Sequence, residues 1–309
     1  MKKTHKDSWA STVKKDFRVN KSLYAMVLPV IAFYFIFHYM PMYGAIIAFK
    51  NFKPQLGIMG SNWVGFKHFA DFFTSPSFLG VLSNTFRISL STIVFGFPAP
   101  IILALLLNEL RSLKFARVVQ NFIYMPHFIS LIVVCGLIRN FTADTGLVTY
   151  ILTFFGFEAK TLLNDPAYFI PIYVASDIWQ SVGWGSIIYL AALTNVDSCL
   201  YEAAMIDGAG KWKQLLNITI PSIIPTIMIM LILRIGGILN VGYEKIILLY
   251  NDLTLNTADV ISTYVYRKGL LELNWSFSTA VGLFNSVINF VFLISMNYIS
   301  RKTNDVGLM

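Results

Sequence analysis

The sequence predicts an all-α integral membrane protein with six transmembrane helices and both termini in the cytoplasm, and three observations carry that expectation. Hydrophobic residues make up 56% of the 309-residue chain and charged residues 13%, with a mean hydropathy of +0.64, too apolar for a soluble domain to cover its surface. Six long apolar segments run over residues 23–49, 81–107, 122–138, 167–193, 223–250 and 277–299. Each is long enough to cross a hydrocarbon core of roughly 30 Å at about 1.5 Å per residue, the third only just. Lysine and arginine are asymmetric: seven in residues 1–22, three in 108–121, two in the loop 195–221 and two in the last residues, against six in the three opposite loops. An excess of basic residues marks the cytoplasmic side. The net charge of +8 then reads as topology and contact with anionic lipid, with no need for nucleic acid.

Residues 1–22 form a cytoplasmic basic tail, and the apolar run after it is longer than a signal's core, so a retained anchor helix is expected. Residues 23–80 hold the first span, bent by Pro29 or Pro41, and an outer loop rich in aromatics. Residues 81–300 form a five-helix core, and 301–309 a cytoplasmic tail. The four histidines, His5, His38, His68 and His127, are scattered, and Cys135 and Cys199 sit on different segments. No metal site or disulfide framework is expected from them. Walker-type glycine loops, Gly-x-Ser-x-Gly, His-Glu-x-x-His and CxxC are all absent, so the chain reads as a non-enzyme that binds no cofactor itself.

Charges inside the apolar segments suggest where a polar solute passes. Asp177 lies about 15 Å below the outer end of the fourth segment, and Arg234 about 18 Å from the cytoplasmic start of the fifth. Opposite charges at one depth predict either a pair or two groups facing a substrate, because intramembrane ions need a partner or a cavity. Trp179 and Trp184 accompany Asp177; Asn240, Tyr243 and Glu244 lie further out; Asn285 and Asn289 share one face of the last segment at i, i+4. These nine residues are the candidate substrate pathway. Arg87, Arg139, Asp177, Arg234, Glu244 and Lys245 all fall in the middle or outer half of the bilayer, which predicts a polar cavity open outward above a nearly apolar inner gate.

Between the fourth and fifth segments stands a polar, small-residue island, 195–221. Asp197 or Ser198 is suited to cap a short helix, Gly208 and Gly210 to end it, and Pro221 to begin the next. The short helix carries Glu202, Ala203 and Ala204, a face of little bulk with one charge for orientation, and Asp207 precedes the glycine. Trp212, Leu215 and Leu216 supply a second amphipathic turn.

Glu202-Ala203-Ala204, three residues, Gly208, nine residues and Ile218-Thr219-Ile220-Pro221 resembles the EAA loop of the membrane-spanning subunits of bacterial ABC importers, with Ile220 where the family usually has leucine. Trp63-Val64-Gly65-Phe66, Phe69, Phe72-Phe73 and Asn84-Thr85 resemble the start of the core in its maltose-type sugar branch. The stretches 108–111, 120–130 and 240–270 are similar to permeases for complex or acidic oligosaccharides, the polygalacturonan type. The resemblance implies a type I ABC importer permease fold in the bacterial cytoplasmic membrane, and a carbohydrate delivered by an extracellular or lipid-anchored solute-binding protein. It implies a second homologous permease subunit that forms a heterodimer with this one, and two cytoplasmic ATPase subunits that hold ATP and Mg. It makes Glu202, Ala203, Ala204, Asp207, Gly208 and Pro221 the ATPase-coupling residues. A stand-alone secondary transporter, with Asp177 and Arg234 as coupling charges, is the alternative; it has no use for a docking helix at this spacing, and no inverted repeat is obvious.

Overall fold

The computed structural model describes residues 16–304 apart from Arg111, together with Gly307. The basic tail up to Lys15 and most of 305–309 lie outside the described residues. Helices dominate, and among the described residues one short antiparallel pair, Lys50–Asn51 with Asn62–Trp63, ties the end of the first span to the loop that follows it.

Among the described residues, four helices are long and apolar enough to cross a membrane: Lys21–Phe49, Phe78–Asn108, Lys211–Ile235 and Trp275–Thr303. A fifth candidate is broken, Lys114–Phe128 and Leu131–Phe141 meeting at 97°. The third segment, expected over residues 122–138, is thus divided between two helices. Pro126 sits in a 3-10 turn, Met125–Phe128, and Ile129 and Ser130 are extended, so the helical hydrogen-bond ladder stops there. Pro166–Thr194 spans 29 residues but falls short of the same apolarity, because Asp177, Gln180 and its tyrosines and tryptophans interrupt the hydrophobic run.

The fifth segment is also corrected. Its helix starts at Lys211, well before Pro221, and ends at Ile235. A π turn over Leu215–Thr219 precedes Pro221, and such a one-turn widening accommodates a residue without an N–H inside a continuing helix. Gly236 caps the helix, still with right-handed geometry, and after a turn the chain resumes a helix at Tyr243–Leu249. The intervening backbone is satisfied from neighbouring elements: Leu239 N–H donates to Asn289 Oδ1 at 3.0 Å, the Ser89 hydroxyl to the Ile238 carbonyl, and the Ser262 hydroxyl to the Val241 carbonyl at 2.8 Å. Irregular backbone at membrane depth is tolerated where it is buried or lines a cavity, and this segment does both.

Three apolar clusters hold the bundle. Ile88, Cys135, Phe169, Tyr173 and Ile246 join the broken helix pair to Pro166–Thr194 and Tyr243–Leu249. Phe72, Leu239, Tyr264, Phe277 and Val281 pack Lys67–Phe73, the turn after Ile235 and Ile261–Tyr266 on the last helix. Ala104, Tyr189, Leu193 and Ile223 close the end nearest the loop 195–221. Lys21–Tyr34 buries none of its residues. Gly183 is buried where Pro166–Thr194 crosses Leu113–Tyr124, and a Cβ there would run into the Ile123 carbonyl. Asp165 starts the long helix: its carboxylate accepts the Ala167 N–H at 2.9 Å and pairs with Lys160 at 2.7 Å.

Candidate functional site

A cavity of about 380 Å³ lies among Phe78–Asn108, Pro166–Thr194, the end of Lys211–Ile235 and the irregular turn that follows it. That size is within the roughly 300–1,000 Å³ of small-molecule sites. Ser89 and Thr92 come from the first of these helices, Tyr173, Asp177 and Gln180 from the second, Arg234 from the third. Gly237, Asn240, Gly242, Tyr243, Glu244 and Lys245 close it.

Five of the nine expected pathway residues line this cavity: Asp177, Arg234, Asn240, Tyr243 and Glu244. Asn285 and Asn289 do not; both donate to Asn240 Oδ1, each at 3.0 Å, and so hold the turn against the last helix. Trp184 also stands outside, its indole stacked on the His127 ring with centroids 4.7 Å apart, and Trp179 is exposed. Tyr243 stacks on Tyr266 at 5.8 Å.

Of the two arrangements left open for Asp177 and Arg234, the mutual pair does not form among the described residues. Asp177 Oδ1 stands 3.7 Å from Lys245 Nζ, and this ammonium also donates to the Tyr173 carbonyl at 3.1 Å and lies 4.6 Å from the Tyr173 ring centroid. Arg234 occupies the last turn of its helix and forms no ion pair among the described residues. The reason is geometric: a continuous helix through 223–250 would carry Lys245 far past Asp177, whereas the break at Gly236 folds it back. Arg87 and Arg139 are exposed and outside the cavity lining.

The charged residues Asp259 and Arg267 have internal partners. Arg267 pairs with Asp259 at 2.5 Å, Thr263 donates to Asp259 at 2.8 Å, and Asn84 donates to the Asn256 and Asp259 carbonyls at 2.7 and 3.1 Å.

In the loop 195–221, Asp197 accepts the Cys199 N–H at 2.9 Å and caps Ser198–Ile206. Gly208, at φ +74°, ends that helix in the left-handed conformation that glycine takes without a Cβ clash. Gly210 instead begins the next helix. Glu202, Ala203 and Asp207 are exposed, as are Leu200, Met205, Ile206 and Trp212, giving a small mixed surface. Two contacts fasten this surface to the long helix: Tyr201 Oη is 2.9 Å from Thr219 Oγ1, and the buried Gln214 amide donates to the Ala209 carbonyl at 2.9 Å.

Residues 96–305, which hold this loop and most of the cavity wall, match the family of binding-protein-dependent transport system inner membrane components. The chain belongs to that family. This permease is 44% identical over 302 residues to Protein LplB of Bacillus subtilis (strain 168), covering 97% of this chain and 94% of the relative. It is 43% identical to the polygalacturonan/rhamnogalacturonan transport system permease protein YteP of the same organism, covering 93% and 90%. Among solved structures it resembles a chain of a bacterial alginate ABC transporter in complex with an alginate pentasaccharide-bound periplasmic protein, with a TM-score of 0.87, 42% identity and coverage of 95% and 99%. The permease is thus the membrane subunit of an ABC importer, a multi-pass protein of the cytoplasmic membrane and a transport subunit rather than an enzyme.

Tyr173, Ser89, Thr92 and Gln180 of the permease's cavity were not candidates in the sequence. Gln180 and Lys245 carried a signal, a polar group within an apolar segment; a serine, threonine or tyrosine on a membrane helix carries none, because each packs or hydrogen-bonds within its own helix as readily.

Proposed function

We propose that this subunit forms part of the translocation pathway for an oligosaccharide of the acidic kind, handed over by a solute-binding protein and moved by ATP hydrolysis on two partner ATPases that bind ATP and Mg. A second homologous permease subunit completes the pathway. The chain crosses the membrane six times with both termini in the cytoplasm, and the broken pair and Pro166–Thr194 each count as a span. Ser198–Ile206 is the coupling helix, with Glu202, Ala203, Ala204, Asp207 and Gly208 at or beside the docking surface and Pro221 behind it.

One observation carries the reading: the helix Lys211–Ile235 starts in the capped loop and ends at the cavity, with Arg234 in its last turn. Its 25 residues span about 37 Å at 1.5 Å each, so a push on the loop is delivered at the polar site across the membrane's thickness. The acidic class is supported by relatives named for polygalacturonan, rhamnogalacturonan and alginate. Reconstitution of the complex in proteoliposomes with its binding protein tests the proposal. ATP-dependent uptake of an oligogalacturonate should occur with wild type and be lost with Gly208→Trp, which combines a bulky side chain with a left-handed backbone. Uptake without ATP, or an unaltered rate in the variant, would refute it.

A further inference from the structure

The cavity wall holds four charges, and the structure divides them into two unlike pairs. Lys245 and Asp177 are engaged with each other. The Lys245 side chain is 5% exposed, and its ammonium is enclosed by the Asp177 carboxylate, the Tyr173 carbonyl and the Tyr173 ring, so it has little to offer an incoming solute. Arg234 and Glu244 differ: both are exposed, both line the cavity, and neither forms an ion pair among the described residues. The neutral polar side chains of the wall are Ser89, Thr92, Gln180, Asn240 and Tyr243, and of these Ser89, Thr92, Gln180 and Asn240 already make hydrogen bonds within the protein.

We propose that Arg234 is the specificity-determining residue of this cavity, receiving the carboxylate of a uronate ring during passage, while Lys245 is structural. The assignment rests on the reading of the cavity as an oligosaccharide pathway and adds which cation recognises the acid. A guanidinium presents a planar fork of donors that matches a carboxylate with two parallel hydrogen bonds. Arg234 is anchored at the end of a rigid helix, beside the turn whose backbone is fixed by Ser89, Asn289 and Ser262, so the fork is presented from a fixed base. Glu244 gives direction: its like charge repels the carboxylate of the same ring and accepts from hydroxyls instead, so the acidic edge of the sugar is turned toward Arg234.

The test uses the full complex in proteoliposomes, with loaded binding protein at saturation, and two probes: trigalacturonate and its methyl ester, in which the carboxylates are masked. Binding of each probe to the binding protein is measured separately, so that delivery is equal in every comparison. Import is read per ATP hydrolysed for wild type, Arg234→Gln and Arg234→Lys. Arg234→Gln is expected to lower trigalacturonate import per ATP by tenfold or more and leave ester import within twofold of wild type, with the stimulation of hydrolysis by loaded binding protein retained. Arg234→Lys should keep an intermediate rate, since the charge remains and the fork is lost. Equal trigalacturonate import by wild type and Arg234→Gln would overturn the assignment, as would an equal loss for both probes. Failure of wild type to import either probe would instead overturn the pathway reading itself, and this assignment with it.

Discussion

Lys245 and Asp177 stand 3.7 Å apart in the wall of one cavity, because the turn after Ile235 carries Lys245 away from the helix ending in Arg234 and back against Pro166–Thr194. Removing the acid leaves a buried ammonium with a carbonyl and a ring for company. Removing the base leaves a carboxylate that is one-third exposed and can take up water. The two substitutions are therefore unequal. Asp177→Ala should destabilise the purified permease by about 1–3 kcal/mol, the cost of an unsatisfied buried polar group, and Lys245→Met by less. Asp177→Ala combined with Lys245→Met should be more stable than Asp177→Ala alone. Thermal unfolding of the three variants in lipid nanodiscs checks this, and strict additivity of the two losses would show that the groups do not interact.

The loop 195–221 was legible because its determinants are local: a capping aspartate, a left-handed glycine and a run of small residues all act within a few positions of one another. The third and fifth segments were not, because hydropathy measures apolarity and does not register where a helical ladder stops. Their breaks had signals, Pro126 in one and Gly236-Gly237 in the other. Depth counted along an unbroken helix placed Arg234 opposite Asp177, and the turn after Ile235 replaced it with Lys245, a residue eleven positions later in sequence. Asn285 and Asn289 were correctly placed on one face, yet the face serves the Asn240 amide rather than the cavity.

Helix crossing at Gly183 gives a second expectation. The Ile123 carbonyl occupies the space a Cβ would need, and both partners are backbone, so neither yields without moving a helix. Gly183→Ala should cost about 1–3 kcal/mol, as overpacking does. Gly136 has open space around its Cβ position on the helix Leu131–Phe141 and is the matched control. Gly136→Ala should be neutral or gain up to about 1 kcal/mol from helix propensity. Melting temperatures of the two variants relative to wild type decide it; equal effects would mean that the crossing tolerates a wider separation.

Asp165 offers a pH-dependent reading outside the spans. The Lys160 hydrogen bond and the Ala167 backbone N–H hold its carboxyl below the usual carboxylate range. A carboxylate with a lowered folded-state pKa contributes stability above its unfolded value of about 3.9, and that contribution is lost as pH falls through the folded value. Asp165→Ala should therefore melt below wild type at neutral pH, and the difference should shrink as pH falls below about 4. A difference independent of pH would assign the effect to packing rather than to the charged cap.

Gln214 is buried where the loop joins the long helix, and its amide is fixed on the Ala209 carbonyl, one residue past the left-handed Gly208. Tyr201, on Ser198–Ile206, reaches Thr219 in the π turn. These two contacts fasten the short helix and the residues after it to Lys211–Ile235, which on the proposed coupling role would make them move together. Each hydrogen bond is worth about 1 kcal/mol, enough to hold a register though not the fold. Tyr201→Phe and Gln214→Leu should therefore leave the permease folded and assembled with its ATPases, and let the short helix swing against the long one. The expected result is hydrolysis within twofold of wild type but severalfold less oligosaccharide imported per ATP, with the double variant worse than either alone. Import and hydrolysis measured on the same proteoliposomes give the ratio directly. An unchanged ratio in the double variant would show that motion reaches the cavity by the backbone of Gly208–Lys211 without these side chains.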